Sequence, residues 1–276
     1  MRGLRVDGIC GSQTWNALVE AGFHIGDRFL YRRTPMLRGD DVAELQRRLS
    51  TLGFDAGRVD GIFGDRTSRA LAEFQRNVGL PVDGIAGGAT LRELIRLESR
   101  YEEPKLISSV RARTELRNAP PTLNGRRVAI GESGGLGSVA GALRRRLVSR
   151  GTQVTELHHP DDSAQAHEAN ELAVDVFLGL RLHPSVAECR ASYWAGTHDE
   201  SQGGRRLAEL VQRCVPRMLG IADAGVQGMS LALLRETRMP AVLVEVGPAS
   251  LVVEHAALLA AALSSALEQW ADASWD

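Results

Sequence analysis

Lysine is almost absent from this 276-residue chain: Lys105 is the only one among 33 basic residues, and the rest are arginine. Any mechanism that needs a second lysine is thereby excluded. Cysteine is scarce too, with Cys10, Cys189 and Cys214 sharing no C-x-x-C spacing. Neither a disulfide framework nor a cysteine zinc cluster is indicated, and buried free thiols are expected. No long apolar run exists. The longest, Ala256 to Leu263, is far short of a membrane span, so no membrane insertion is expected. The N-terminal stretch MRGLRVDGICGSQTW lacks the apolar core of about 7 to 15 residues of an export signal, so the chain reads as cytoplasmic. There is no charge excess: 34 acidic residues against 33 basic give a net charge of -1, which offers no handle for nucleic acid or anionic lipid. What is present is ordinary globular composition, 43% apolar and 24% charged, at a length that favours two compact units.

A repeat organises the first hundred residues. Arg5-Val-Asp-Gly-Ile-Cys-Gly-Ser-Gln-Thr14, Arg58-Val-Asp-Gly-Ile-Phe-Gly-Asp-Arg-Thr67 and Pro81-Val-Asp-Gly-Ile-Ala-Gly-Gly-Ala-Thr90 share the pattern VDGIxGxxT. Asp-Gly favours a turn, the second glycine permits unusual backbone, and the threonine opens a following helix. Each copy is therefore a loop feeding a helix. Val42, Leu45, Leu49 and Leu52 fall at helical spacing before the second copy, and Leu71 and Phe74 share a face after it. Three short helices are predicted from about residue 40 to 97.

The stretch from Gly39 to Leu94, GDDVAELQRRLSTLGFDAGRVDGIFGDRTSRALAEFQRNVGLPVDGIAGGATLREL, resembles the small three-helix peptidoglycan-binding domain of bacterial cell-wall proteins. Residues 3–18 match only the last third of that domain. The division is a partial repeat over 1–33, a complete peptidoglycan-binding domain over 34–100, a linker over 101–123 and an α/β domain over 124–276. The resemblance implies peptidoglycan or its precursors as ligand, with a glycan site near Asp60, Gly61, Phe63 and Gly64; a purely structural repeat is the alternative.

The second half alternates strand and helix. Strands are predicted at Arg127–Ile130, Gln153–Leu157, Asp175–Leu182, Ala191–Trp194 and Met239–Gly247, and helices at Ser138–Arg150, Gly204–Leu219 and Val253–Trp270. Such alternation predicts an α/β fold with a mostly parallel or mixed sheet flanked by helices, whose chemistry gathers where strands end. Gly131-Glu-Ser-Gly-Gly-Leu-Gly137, with Glu156 ending the next strand, fits a dinucleotide-binding fingerprint. That weaker reading makes the chain a nucleotide-binding protein.

Leu178-Gly-Leu-Arg-Leu-His183 and Met239-Pro-Ala-Val-Leu-Val-Glu-Val-Gly247, with the helix AGALRRRLVSRG between the first two strands, resemble the zinc-dependent N-acetylmuramoyl-L-alanine amidase domain. The module order is similar to that of actinobacterial CwlM-type proteins, which implies a role in controlling peptidoglycan synthesis and a cell-wall synthesis protein as partner. The resemblance assigns His183 as a zinc ligand and Glu245 as the catalytic glutamate. With the loop shortened relative to the family, it also puts Glu132 at the ligand glutamate, eight residues before Ala140. The family's remaining ligand histidine falls on Gly134 or is deleted. Two ligands hold zinc poorly, because a catalytic site normally has three plus an open position. Two readings stand open: an impaired, regulatory amidase-like protein needing no cofactor, and an active zinc amidase in which His158 or His159 supplies the missing ligand. His183 also reads as a hydrogen-bonded core histidine, and Glu245 as a relic paired with an arginine such as Arg181. Tyr193 and Trp194 read either as groove-lining aromatics or as core.

Overall fold

The computed structural model describes residues 4, 8–98, 114–183, 185–196 and 199–273. The chain divides into two compact units, a helical one and an α/β one that begins at Leu116.

The helical unit holds α1 (Ser12–Ala21), α2 (Asp40–Thr51), α3 (Asp65–Asn77) and α4 (Gly88–Glu98). Asp40 and Asp41 open α2, where carboxylates oppose the positive end of the helix dipole. Asp41 is also gripped by Arg28, whose Nε and Nη2 lie 2.7 and 3.1 Å from the two carboxylate oxygens. Val42, Leu45 and Leu49 of α2, Leu71 and Phe74 of α3, and Leu94 of α4 converge on Leu30, Leu37 and Phe63 to form one core. Two antiparallel bridges, Leu30 with Ala86 and Arg38 with Ile62, tie the segment before α2 to the second and third VDGI loops. Helix α1 contributes no buried residue.

The α/β unit runs β1 (Arg127–Glu132), α5 (Gly137–Val148), β2 (Gln153–His158), α6 (Asp162–Glu171), β3 (Val176–Leu182), β4 (Glu188–Trp194), α7 (Gln202–Leu219), β5 (Ala222–Met229), α8 (Ala232–Glu236), β6 (Ala241–Val246), α9 (Ala249–Glu254) and α10 (Ala256–Ala271). The sheet order is β2-β1-β3-β6-β4-β5. The first four are mutually parallel; β4 runs antiparallel to β6, and β5 parallel to β4. The sheet is mixed, as predicted.

Alternation along the strands sends side chains to two layers. Val128, Ile130, Leu178, Leu180, Val242 and Val244 pack with α5, α7 and α10. Phe177, Ala241, Leu243 and Trp194 pack on the other side with residues of α6 and α8. Ser201 caps α7 by accepting from Gly204 N at 3.1 Å, and Asp161 caps α6 by accepting from Ala164 N at 2.8 Å.

Strand β5 and helix α6 were not foreseen from the sequence. Of the linker expected over 101–123, residues 101–113 lie outside the described ones, while Leu116 and Leu123 are buried in the α/β core. The boundary therefore moves toward the N-terminus. The thiols also differ from expectation: Cys189 is buried and Cys214 half-buried, but Cys10 is exposed.

Candidate functional site

Because β1, β2, β3 and β6 are parallel, their C-terminal ends share one edge of the sheet. That edge carries Glu132 at the end of β1, His158 at the end of β2, His183 just past β3 and Glu245 near the end of β6. Antiparallel β4 brings its start, Glu188 and Arg190, to the same edge. The register then separates the candidates. Glu132 stands level with Leu180, and Leu180 with Val244. Glu245 is one residue further, level with Arg181 and Arg190. Successive strand residues point to opposite faces, so Glu132 and Glu245 face away from each other.

Glu132 is occupied by its own neighbourhood. Its Oε2 accepts from Gly134 N at 2.9 Å and Leu136 N at 3.2 Å, and its Oε1 lies 3.0 Å from His158 Nδ1. Gly134 and Gly135, at φ of +121° and +85°, make the tight return that aims those amides backward. Partial burial raises the Glu132 pKa, but the His158 hydrogen bond and the two backbone donors outweigh it and hold the carboxyl below its ordinary value. His158 is shifted up in turn, first by its hydrogen bond to Glu132 and then by the charges of Glu132 and Glu156. Its Nε2 lies 3.4 Å from Glu156 Oε2, and Arg144 Nε lies 2.9 Å from Glu156 Oε1.

The fingerprint residues are thus consumed internally. Glu132 fills the amides at the start of α5 where a phosphate would sit, and Glu156 serves Arg144 and His158. A Cβ at Gly131 would run into Gln165 and Phe177, so that glycine serves packing between β1 and α6. These contacts leave the nucleotide reading without support.

His183 is held separately. Its Nδ1 accepts from Val186 N at 3.3 Å, and its Nε2 lies 3.9 Å from Glu188 Oε1, which in turn takes Arg190 Nη2 at 3.3 Å. His183 N donates to Val246 O, and Gly247 packs so tightly on the His183 carbonyl that any Cβ there would collide with it. Glu245 is 4% exposed. Its register neighbour Arg181 donates to Asp162 Oδ1 at 2.7 Å. Tyr193 and Trp194 are buried, with Tyr193 Oη 3.0 Å from Glu200 Oε2, so they line no open groove.

The donor set does not fit a catalytic zinc. Glu132 and His183, the two ligands the resemblance leaves, share no hydrogen-bond partner and bond to different neighbours. Among the described residues no three His, Cys, Asp or Glu side chains converge on one point. The histidines proposed as replacements are also engaged, His158 with Glu132 and His159 through Nδ1, which accepts from Asp161 N at 3.0 Å.

In the helical unit, the loops read as a glycan site are closed by buried glutamine amides. Gln46 of α2 donates to Asp60 Oδ1 at 2.9 Å, Ile62 O at 3.0 Å and Thr67 Oγ1 at 3.1 Å, and accepts from Gly61 N at 2.8 Å. Gln75 of α3 repeats the pattern on Asp83, Ile85 O, Thr90 and Gly84 N, at 2.7 to 3.3 Å. Both glutamines are buried. Asp, Gly and Thr of VDGIxGxxT are therefore the polar partners of a buried glutamine. Phe63 is wholly buried and Gly61 buried, while Gly64 precedes α3, so of the four predicted glycan-site residues Phe63 cannot reach a sugar. The signal that marks the glutamines is the pair of an apolar residue and Gln, Leu45-Gln46 midway along α2 and Phe74-Gln75 near the end of α3.

Residues 38–94 match the family model described as a putative peptidoglycan binding domain, and residues 128–269 the model described as N-acetylmuramoyl-L-alanine amidase. The chain belongs to the N-acetylmuramoyl-L-alanine amidase family. It is 37% identical over 277 aligned positions to the N-acetylmuramoyl-L-alanine amidase CwlM of Mycobacterium tuberculosis, an alignment covering 89% of this chain and 68% of that protein. Its helical module is 49% identical over 65 residues to a spore cortex-lytic enzyme of Bacillus cereus, across 24% of this chain and 25% of the enzyme. The crystal structure of the amidase Ami1 from Mycobacterium smegmatis aligns with 54% of this chain and 98% of its own, at 14% identity and a TM-score of 0.48. This family member is a cell-wall amidase-like protein with a peptidoglycan-binding module.

Proposed function

We propose that this protein recognises peptidoglycan or its precursors through its helical module, and that its amidase-like domain is catalytically impaired and acts in regulating peptidoglycan metabolism through a cell-wall synthesis protein. The observation that carries the reading is Glu132. A ligand glutamate must present a free oxygen to the metal, whereas this one spends both oxygens on His158 and the amides of Gly134 and Leu136. The lost histidine is either deleted or falls on Gly134, in a turn that a side chain would strain. His183 is left without the two further ligands that would hold a metal, and Glu245 without the metal-bound water it would act on.

A second reading, a working zinc amidase that cleaves between N-acetylmuramic acid and L-alanine, is favoured by one feature: Glu245 is a buried carboxylate at a strand end beside the His183 loop. Elemental analysis together with a muropeptide-release assay separates the two. The expected result is far less than one zinc per chain and release at background. Stoichiometric zinc with release that His183→Ala or Glu245→Ala abolishes would establish the second reading instead.

A further inference from the structure

Among the described residues the exposed aromatic side chains are Trp15, Phe29 and Tyr31, all within the helical module, whereas Phe63, Phe74, Phe177, Trp194 and Trp270 are buried. Phe29 and Tyr31 are 66% and 40% exposed, and they flank Leu30, which is wholly buried. Their placement is fixed by backbone. Leu30 and Ala86 exchange both main-chain hydrogen bonds, at 2.8 and 3.5 Å, so the segment is extended against the third VDGI loop. In extended chain alternate residues point to opposite sides, and a buried Leu30 therefore turns Phe29 and Tyr31 outward together. The Phe29 ring rests on Gly87, where an added Cβ would lie 3.2 Å from Cε1. Arg32 and Arg33 continue the same segment, both exposed, with Arg32 Nε 2.7 Å from Asp65 Oδ1 of the second loop. Arg28 turns the other way, onto Asp41 and the Arg38 carbonyl.

A strap of chain thus carries two outward aromatic rings and two exposed arginines across the second and third VDGI loops. We propose that Phe29 and Tyr31 stack on pyranose rings of the glycan strand, and that Arg33, with Arg32, meets carboxylates of the attached peptide. The chemistry is matched on both counts. Aromatic faces cover the apolar C–H face of a sugar while leaving its hydroxyls in water, and guanidinium groups pair with carboxylates, which an acidic muropeptide carries and a neutral glycan does not. The site rests on the reading that the module recognises peptidoglycan. It lies outside residues 38–94 that match the family model, and it uses none of Asp60 to Gly64, whose polar groups bond internally.

The test is a calorimetric titration of the full chain with a soluble disaccharide-peptide muropeptide and with chitotetraose as the uncharged probe. Phe29→Ala with Tyr31→Ala is expected to weaken binding of both probes at least about tenfold, as loss of a central aromatic anchor does. Phe29→Trp is expected to retain it. Arg33→Gln is expected to weaken only the muropeptide, whose affinity should also fall with added salt. Ring proton resonances of Phe29 and Tyr31 in the unaltered protein should shift on titration, which keeps the test independent of the variants' folding. Wild-type binding that survives in the double variant, with unmoved ring resonances, overturns the platform and leaves peptidoglycan recognition standing. Failure of the unaltered chain to bind either probe overturns both. A double variant that loses self-association in sedimentation but keeps probe affinity shows the strap to be a face between copies, and also overturns the proposal.

Discussion

The two places where the sequence carries its strongest motifs are built in opposite ways. In the helical module the VDGI loops are locked by neutral, buried amides, Gln46 and Gln75, each meeting four loop groups. At the sheet edge, Glu132 is locked by a largely exposed, titratable histidine and two turn amides. The first arrangement makes the motif a scaffold that leaves the outer surface to other residues. The second takes the side chain that the resemblance makes a metal ligand and spends its oxygens on its own turn and on His158. Motif strength therefore measures constraint, and only the side chain's partners say whether the constraint is chemical or structural.

The largest effect that would sharpen this contrast is at Gln46. Truncation to alanine strands the Gly61 N–H inside a buried site and takes one partner each from the Ile62 carbonyl, which keeps Gly64 N, and Thr67, which keeps the Ala56 carbonyl. Stranded buried polar groups cost roughly 1–3 kcal/mol each, partly relieved by water, so Gln46→Ala should destabilise the helical unit by about 3 kcal/mol in urea unfolding. Gln75→Ala should cost less, about 2 kcal/mol, because Val82 and Ile85 of its loop are exposed and water can replace the amide. Equal or negligible losses at both positions would show that the loops are held by their backbone alone.

Much of this architecture was legible. The alternation of Val128, Ile130, Leu178, Leu180, Val242 and Val244 marked the inner strands because burial on both faces demands apolar residues there. Strand β5, Ala-Asp-Ala-Gly-Val-Gln-Gly-Met, escaped because it is an edge strand, mostly uncovered, with two glycines and little to alternate. Helix α6, Asp-Ser-Ala-Gln-Ala-His-Glu-Ala-Asn-Glu, escaped because its buried positions are Gln165, Ala166 and Ala169, too small and polar to show a stripe. At the candidate site the residue types were legible and their directions were not. The resemblance put Glu132 and His183 where strands end, but which oxygen meets which amide depends on a turn and on pairing with a residue 26 positions away. Phe63 was misplaced for a related reason: an aromatic in a Gly-rich loop reads as a ligand contact until the core that receives it is seen.

At the sheet edge, Glu132→Ala should cost about 1.5 kcal/mol, since it removes a charge-assisted hydrogen bond and the acceptor for two turn amides, in a place where water reaches part of the group. Protection of the Gly134 and Leu136 amides from hydrogen exchange should fall selectively in that variant. Unchanged protection would mean that the loop closes without Glu132, and that its carboxylate is available after all.

The smallest effect is the most diagnostic, because it depends on charge and has no counterpart in the glutamines. Glu132 titrates below its ordinary value of 4.5 in the folded protein, so its contribution is present above about pH 4.5 and is lost as pH falls through the lower folded value. His158 titrates above its ordinary value of 6.5, so its contribution is complete below about pH 6.5 and is lost as pH rises through the higher folded value. Both hold only in the window between. The stability difference between the unaltered protein and Glu132→Gln, measured by urea unfolding of the α/β unit, should therefore be greatest near pH 5.5 and shrink toward both pH 3 and pH 9. Because the pair is largely open to solvent on the His158 side, added salt should reduce the peak as well. A difference that is flat across this range would mean that Glu132 holds the turn amides without help from His158, and would return the histidine to the sheet edge as a group free to act.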